Sequence, residues 1–568
     1  MKLYLIILIF LPALIFSVKN EKIKEITVSE EDNIIEIDQN YIITQISWTK
    51  TENYILNYLL GVFEASNDPS FKNGIPIAII KEEGKFNEVN YIDINTLNTY
   101  KYIRYIPPNG NNTKIFPIKL YGYQIESSEK LNETKYFQVT NLPLVSIHTE
   151  NSSETSKEKD INCFITIINN GKIEVNENAL IKNRGRSSNF AAQKKSFRIK
   201  FDSKQQILNF KGKEKRWTLI ANHFDRSFLR NVLAFKISEL MKFKFTPRCQ
   251  PVDVILNGNY QGNYYICDKI EVGNNRVNIS KLKATDISEP NITGGYLLEI
   301  DASSGFNSRP GFDSKSGNGS KSGNGYGGGG ANSFKTTKGI VGKIEFPKEE
   351  EITPEQKEYI VGKLNQFENE IYNGILDSID LESYSKYFLV EEFCGDPDNV
   401  FSSFYFTKER SDDKFYFGPV WDFDLGFDND RRLSPTSEKP EFCLYYGDSA
   451  GTTREFVKTL IGNKDVIGYI KKTWNNLCDT VLNEKVLLDF LDEKSEYIKE
   501  SAELNLLKWD NYVASGNGKG KRGWGGGGGG FGRKGENFEV SVEVVKDYVK
   551  NRFLSLTNLI NAAYSSSK

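Results

Sequence analysis

Apolar and polar positions alternate in short runs over the first quarter of the chain. The runs ITVS, NIIEI, YIITQISW, IPIAII, YKYIRYI and KIFPIKLYGY fall between Glu25 and Ile147, and turn signals such as Asn73-Gly74 and Pro108-Asn109-Gly110 divide them. Short strands punctuated in this way predict a β-sandwich (jelly-roll) domain over residues 25–150. From about Asn162 to Asp430 the period changes repeatedly, so strands and helices mix. Leu229, Val232, Leu233, Ile237 and Leu240 share one helical face, which predicts a helix over 226–241 with Asp225 as its N-cap. A second amphipathic helix runs over 381–393 and is stopped by Cys394-Gly395 and Pro397. Residues 455–507 and 540–563 also read as helical. The expected fold is α+β: a sandwich, then a mixed domain over 160–568 whose C-terminal part is helical.

Composition and termini narrow the class. The sequence begins MKLYLIILIFLPALIFSVKN, with one Lys before an apolar run from Leu3 to Phe16. As a helix this run spans about 21 Å, short of the ~30 Å hydrocarbon core of a bilayer. Residues 1–18 therefore read as a secretory signal peptide, and no other stretch is long enough for a transmembrane segment. A secreted or cell-surface location follows as an expectation. Sequons at Asn111, Asn132, Asn151, Asn278, Asn291 and Asn318 then become candidate glycan sites. The 73 basic and 75 acidic residues nearly cancel, so no nucleic-acid partner is expected. Only two histidines, His148 and His223, are present, which excludes a metal site built from three or four His. Six cysteines lack C-x-x-C spacing, which disfavours zinc and leaves disulfides and buried thiols both open. Of the 46 glycines, 22 lie in two tracts, taken as flexible insertions over 303–334 and 515–536. Neither tract has the strand–GxxxxGK[ST]–helix context of a phosphate loop.

The chemistry concentrates elsewhere. In Gly418-Pro419-Val420-Trp421-Asp422-Phe423-Asp424 an extended chain would project Asp422 and Asp424 to one side and anchor Trp421 and Phe423 in the core. Two carboxylates this close repel unless a cation intervenes, and oxygen ligands suit Mg²⁺, Mn²⁺ or Ca²⁺. Upstream, Asp396-Pro397-Asp398 follows a helix end and precedes a strand at 403–408. A loop Asp, a hairpin and a metal-binding Asp in this order are the arrangement of phosphoryl transfer. Basic residues occur at Arg184-Gly185-Arg186-Ser187-Ser188 and at Lys194–Phe201. In the latter, Lys194, Ser196, Arg198 and Lys200 alternate with Lys195, Phe197, Ile199 and Phe201, so Lys195 is expected on the apolar face.

Two resemblances follow. Leu60–Asp68, Tyr102-Ile103-Arg104-Tyr105 and Ile118–Gly122 resemble a discoidin-like (galactose-binding-like) jelly roll, a class whose loops bind sugars. The set RGRSS…KKSFRIKF, WTLIANHFDRSFLRN, YQGNYYI, GGYLLEID and FGPVWDFDLGF resembles the CotH (spore coat protein H) family of secreted protein kinases. That resemblance implies an atypical kinase-like fold using ATP and Mg²⁺ or Mn²⁺ to phosphorylate Ser or Thr of secreted or surface proteins, including basic Ser-rich ones. It makes Asp398 the catalytic residue and Asp422 and Asp424 the metal ligands, with Ser403 where an Asn ligand is expected. Arg184, Ser187, Ser188, Lys195, Arg198 and Asp268 would serve the nucleotide, Asp268 standing where the family has Glu. Ser403 weakens one metal position, so the alternative is a catalytically weak or inactive surface protein that adheres or binds carbohydrate through its N-terminal domain. A hydrolase using Asp422 and Asp424 as an acid–base pair is a third reading.

Overall fold

The computed structural model describes residues 23–26, 29–31, 34–37, 40–49, 58–108, 118–125, 134–185, 192–301, 332–398, 402–446, 451–514 and 537–567. The N-terminal apolar run, Ser187, Ser188 and nearly all of both glycine tracts lie outside them. Contacts divide the chain into two compact units, Met1–His223 with Gln250–Cys267 and Ile498–Lys519, and Phe224–Cys249 with Asp268–Tyr497 and Gly520–Lys568.

The first unit begins with β1 (Lys24–Glu25), β2 (Ser29–Glu31), β3 (Ile34–Glu36), β4 (Tyr41–Thr49), β5 (Val62–Ser66), β6 (Ile75–Ile79), β7 (Val89–Asp93), β8 (Tyr102–Ile106) and β9 (Lys119–Gln124). These form two antiparallel sheets, ordered β1-β9-β4-β7 and β2-β3-β8-β5-β6. Ile43, Ile46 and Trp48 of one sheet and Phe63, Ala65, Ile77 and Ile103 of the other bury into a common core, so the predicted sandwich is present. Glu64 lies fully buried in β5, where Arg104 donates to it at 2.8 and 2.6 Å and His148 approaches to 2.9 Å. One of the two histidines is thereby bound into the packing of this unit.

Next come β10 (Leu144–Thr149), β11 (Ile161–Asn169), β12 (Lys172–Arg184), β13 (Ser196–Gln205), β14 (Glu214–Ile220), β15 (Cys249–Leu256) and β16 (Asn259–Asp268). They close into a barrel in the order β10-β11-β12-β13-β14-β16-β15. The expected alternation holds within β13, where Phe197, Ile199 and Phe201 enter the barrel core beside Trp217 and Tyr264. Sandwich and barrel thus fall in one compact unit.

The second unit holds β17 (Tyr296–Ile300), β18 (Ser333–Lys335), β19 (Val341–Phe346), β20 (Phe404–Lys408) and β21 (Phe415–Phe417), ordered β18-β19-β17-β20-β21. Strand β18 starts inside the stretch expected to be a flexible insertion. The helices are α1 (Arg230–Leu240), α2 (Pro354–Tyr372), α3 (Leu381–Cys394), α4 (Gly451–Gly462), α5 (Lys464–Thr480), α6 (Glu484–Ala514), which runs on into the first unit, and α7 (Phe538–Ser566). Helix α1 begins four residues later than its apolar pattern indicates. Phe228 takes a left-handed φ of 57°, and the Asp225 carboxylate instead accepts from Ser227 N and Arg230 N at 3.0 and 2.9 Å. Helix α2, absent from the sequence reading, is fixed by a capping box: Thr353 Oγ1 accepts from Gln356 N, and Gln356 Oε1 accepts from Thr353 N.

Trp217 is fully buried and stacks on Phe210 with ring centroids 5.2 Å apart. Trp217→Ala should therefore destabilise the barrel by about 3–5 kcal/mol, measured by urea unfolding. A change within half a kcal/mol would mean that the barrel core does not depend on this ring.

Candidate active site

Helix α3 ends at Gly395, whose φ of 62° is left-handed. A side chain here would also meet Tyr548 Oη at 2.6 Å, so glycine is required on two counts. The sharp exit delivers Asp396 and Asp398. Asp396 is buried and its Oδ1 accepts from Asp398 N at 3.2 Å, while Ser402 N donates to the Asp398 carbonyl. Strands β20 and β21 then form the expected hairpin, pairing Phe406 with Phe417 and Lys408 with Phe415. Its rings pack against Tyr384 and Tyr387 of α3, which ties the hairpin to the helix that presents Asp398.

After the hairpin the chain leaves the sheet. Trp421 is buried and stacks on Phe235 of α1 at 5.8 Å. Phe423 is fully buried, and its N–H donates to Asn231 Oδ1 of α1 at 2.8 Å. These anchors were expected, but an extended Asp422–Asp424 pair is not what they produce. Asp422 has a φ of 75°, so the backbone turns there; Asp422 is exposed and Asp424 half-buried in the following turn. Asn429 Nδ2 closes that turn by donating to the Asp424 carbonyl at 2.7 Å and to Phe224 O at 2.8 Å.

The carboxylates nevertheless form one electrostatic group. Burial, then Asp422, Asp225 and Asp398, push the Asp424 carboxyl well above the usual range. Burial, then Asp398, Glu391 and Asp422, do the same to Asp396. Such mutual repulsion is relieved by a cation or a proton. Among the described residues no three His, Cys, Asp or Glu converge into a ready metal cage. Mg²⁺ takes one or two carboxylates and completes its shell with water and phosphate oxygens. The oxygen-only donor set around Asp422 and Asp424 therefore fits such an ion.

The expected nucleotide residues are placed as follows. Arg184 ends β12 and pairs in register with Ser196. Lys195 Nζ donates to Ala192 O at 2.6 Å. Its neighbour Lys194, expected on the exposed face, is the buried one: it donates to Ala221 O and Asn263 O and lies 4.2 Å from the Tyr264 ring centroid. Burial holds its ammonium pKa well down. The alternation fails because residues 192–195 form a bend before β13 begins, and a period of two holds only within a strand. Arg198 forms a 2.6 Å ion pair with Asp160. Asp268 is buried and accepts from Arg248 at 2.6 and 2.9 Å and from Arg276 at 3.1 Å. Ser403 precedes β20 with a φ of 60°. Sequence reasoning named Asp225 only as a helix cap and did not single out Asn231, Asp430 or Arg432, whose roles arise from folding. Nor did it single out Glu299 in GGYLLEID, a carboxyl on β17 pushed up to about 7 by burial, Glu345 and Asp301.

A loop Asp after a helix, a hairpin and an acidic turn thus follow one another along the second unit. The family model for CotH kinase protein matches residues 181–556, well over half of the chain, and the protein belongs to that family. Among solved structures, a CBM62 from Clostridium thermocellum Xyl5A aligns at 21% identity over 16% of this chain and 68% of its own, with a TM-score of 0.15. A comparison with curated proteins finds no match.

Because the Asp424 carboxyl is raised, the folded protein holds that proton more tightly than the unfolded chain does. Metal-free stability therefore falls as pH rises from the ordinary carboxylate range toward the raised value. Asp424→Asn should raise the melting temperature of metal-free protein at pH 8, leave it nearly unchanged at pH 4, and remove any shift caused by Mn²⁺. An equal effect at both pH values would contradict the repulsion.

Proposed function

We propose that this protein is a secreted protein kinase that transfers the γ-phosphate of ATP to Ser or Thr of extracellular or surface proteins. The observation that carries the reading is the acidic group formed by Asp396, Asp398, Asp422 and Asp424 around one hairpin. Asp398 positions the acceptor hydroxyl and receives its proton as the oxygen bonds to phosphorus and ADP leaves. Asp422 and Asp424 would hold Mg²⁺ or Mn²⁺, which neutralises phosphate charge when bound. Secretion rests on the N-terminal apolar run. It agrees with the exposure of Asn151, Asn278 and Asn291, three of the sequon asparagines. All six cysteines are free thiols in this structure.

Asp398→Ala should lower kcat by about 10²–10⁴-fold with little change in nucleotide binding. Asp422→Ala should abolish the metal-dependent thermal shift with ATP. Transfer of ³²P from ATP to a Ser/Lys peptide tests both; no incorporation by the wild type with either Mg²⁺ or Mn²⁺ would refute the kinase reading.

A second reading, carbohydrate binding by the sandwich, is favoured by Phe86 and Tyr91, which are 45% and 58% exposed. The Tyr91 ring lies 6.4 Å from that of Tyr121 on the same sheet, and Gln45 donates to Asp93 beside them at 2.8 Å. Exposed rings flanked by hydrogen-bonding groups suit a sugar chain. If they serve it, the full-length protein should be retained on insoluble polysaccharide, and Tyr91→Ala should weaken retention roughly 3–10-fold. Absence of wild-type retention would remove this reading and leave the kinase reading untouched.

A further inference from the structure

We propose that Arg432 is the positioning residue for Asp398, holding one oxygen of the catalytic carboxylate so that the other faces the acceptor hydroxyl. The inference rests on the kinase reading and adds to it a residue from a different loop.

Asp430 first fixes the arginine. Asp430 is buried; its Oδ1 accepts from the Arg432 backbone N–H at 2.8 Å and from Nε at 3.0 Å, and its Oδ2 accepts from Nη2 at 2.9 Å. Leu433 N and Ser434 N both donate to the Asp430 carbonyl, so the turn carrying Arg432 is itself closed. The guanidinium is thereby oriented before it reaches Asp398, and Nη1 donates to Asp398 Oδ1 at 3.0 Å. This bridges the loop after α3 to the loop after Asp424, 34 residues further along the chain.

An isolated surface pair of Arg and Asp contributes little, because two flexible chains must be ordered to form it. Here Asp430 has already ordered the arginine, so the remaining contact is spent on direction. A base oriented by a third group is the general device for holding a catalytic side chain in one geometry, and displacement of about 1 Å can cost 10²-fold in rate. Lysine could replace the charge but not the fork, since it lacks the second and third planar donors.

The test uses full-length protein, Mn²⁺-ATP and a Ser/Lys peptide. Arg432→Ala should lower kcat about 100-fold while leaving KM for ATP and the nucleotide-dependent thermal shift unchanged. Millimolar guanidinium should restore part of the rate in Arg432→Ala. Arg432→Lys should retain an intermediate rate and gain nothing from added guanidinium. Wild-type kcat in Arg432→Ala overturns the proposal while leaving the kinase reading intact. So does a lost rate accompanied by a lower melting temperature and no rescue, which marks a merely structural residue. A wild type that transfers no phosphate overturns the kinase reading, and this proposal with it.

Discussion

A group of carboxylates raised by burial and by one another is the constraint on which the candidate site depends. Burial first, and then their acidic neighbours, raise the carboxyls of Asp396 and Asp424. Rigid attachments keep them close. Gly395 ends α3 abruptly, the aromatic hairpin packs on α3, and Asn231 and Phe235 of α1 hold the backbone on either side of Asp422. Arg230 reinforces the arrangement by pairing with Asp225 and donating to Gly426 O at 3.1 Å. Apolar packing, backbone hydrogen bonds and the Arg230–Asp225 pair together fix the backbone that carries these carboxylates.

The first unit matches its buried charge with donors. Asp253 is fully buried, yet its carboxylate accepts from Thr140 at 2.6 Å, Tyr260 at 2.8 Å and Ser501 at 2.7 Å. Glu64 is satisfied by Arg104 and His148. Removing either set would leave a buried ionisable group without compensation, which costs several times a surface contact. These groups have partners on distant segments, and they tie β5 to β8 and β15 to α6. Donors also match Asp225, Asp268 and Asp430 in the second unit, so the crowding of like charges is confined to Asp396, Asp424 and their acidic neighbours.

Most regular structure was legible because local periodicity carries it. The sandwich runs, β13, α5 and α7 follow their apolar spacing, whereas α3 lies where expected but is buried on nearly every face from Tyr384 to Cys394 instead of being amphipathic. Helix α1 was placed but started too early, because a face pattern cannot report the left-handed φ of Phe228. Lys194 and Lys195 were exchanged for a related reason: alternation was extended past the true start of the strand. Helix α2 could have been found from its Thr-Pro-x-Gln capping signal. The acidic residues Asp398, Asp422 and Asp424 stood out by motif order, whereas the two arginines that pair with Asp268 come from separate segments and left no motif.

By itself the sequence determined the sandwich-then-α+β order, the absence of a histidine-rich metal site and the acidic character of the candidate centre. Those depend on residue type and on spacing within one element. Only the tertiary structure decided that Asp225 joins the acidic group, that the backbone turns at Asp422, and that Arg432 reaches back to Asp398. Each depends on segments far apart in the chain, or on a backbone conformation imposed by anchors elsewhere, and neither leaves a periodic trace in the order of residues.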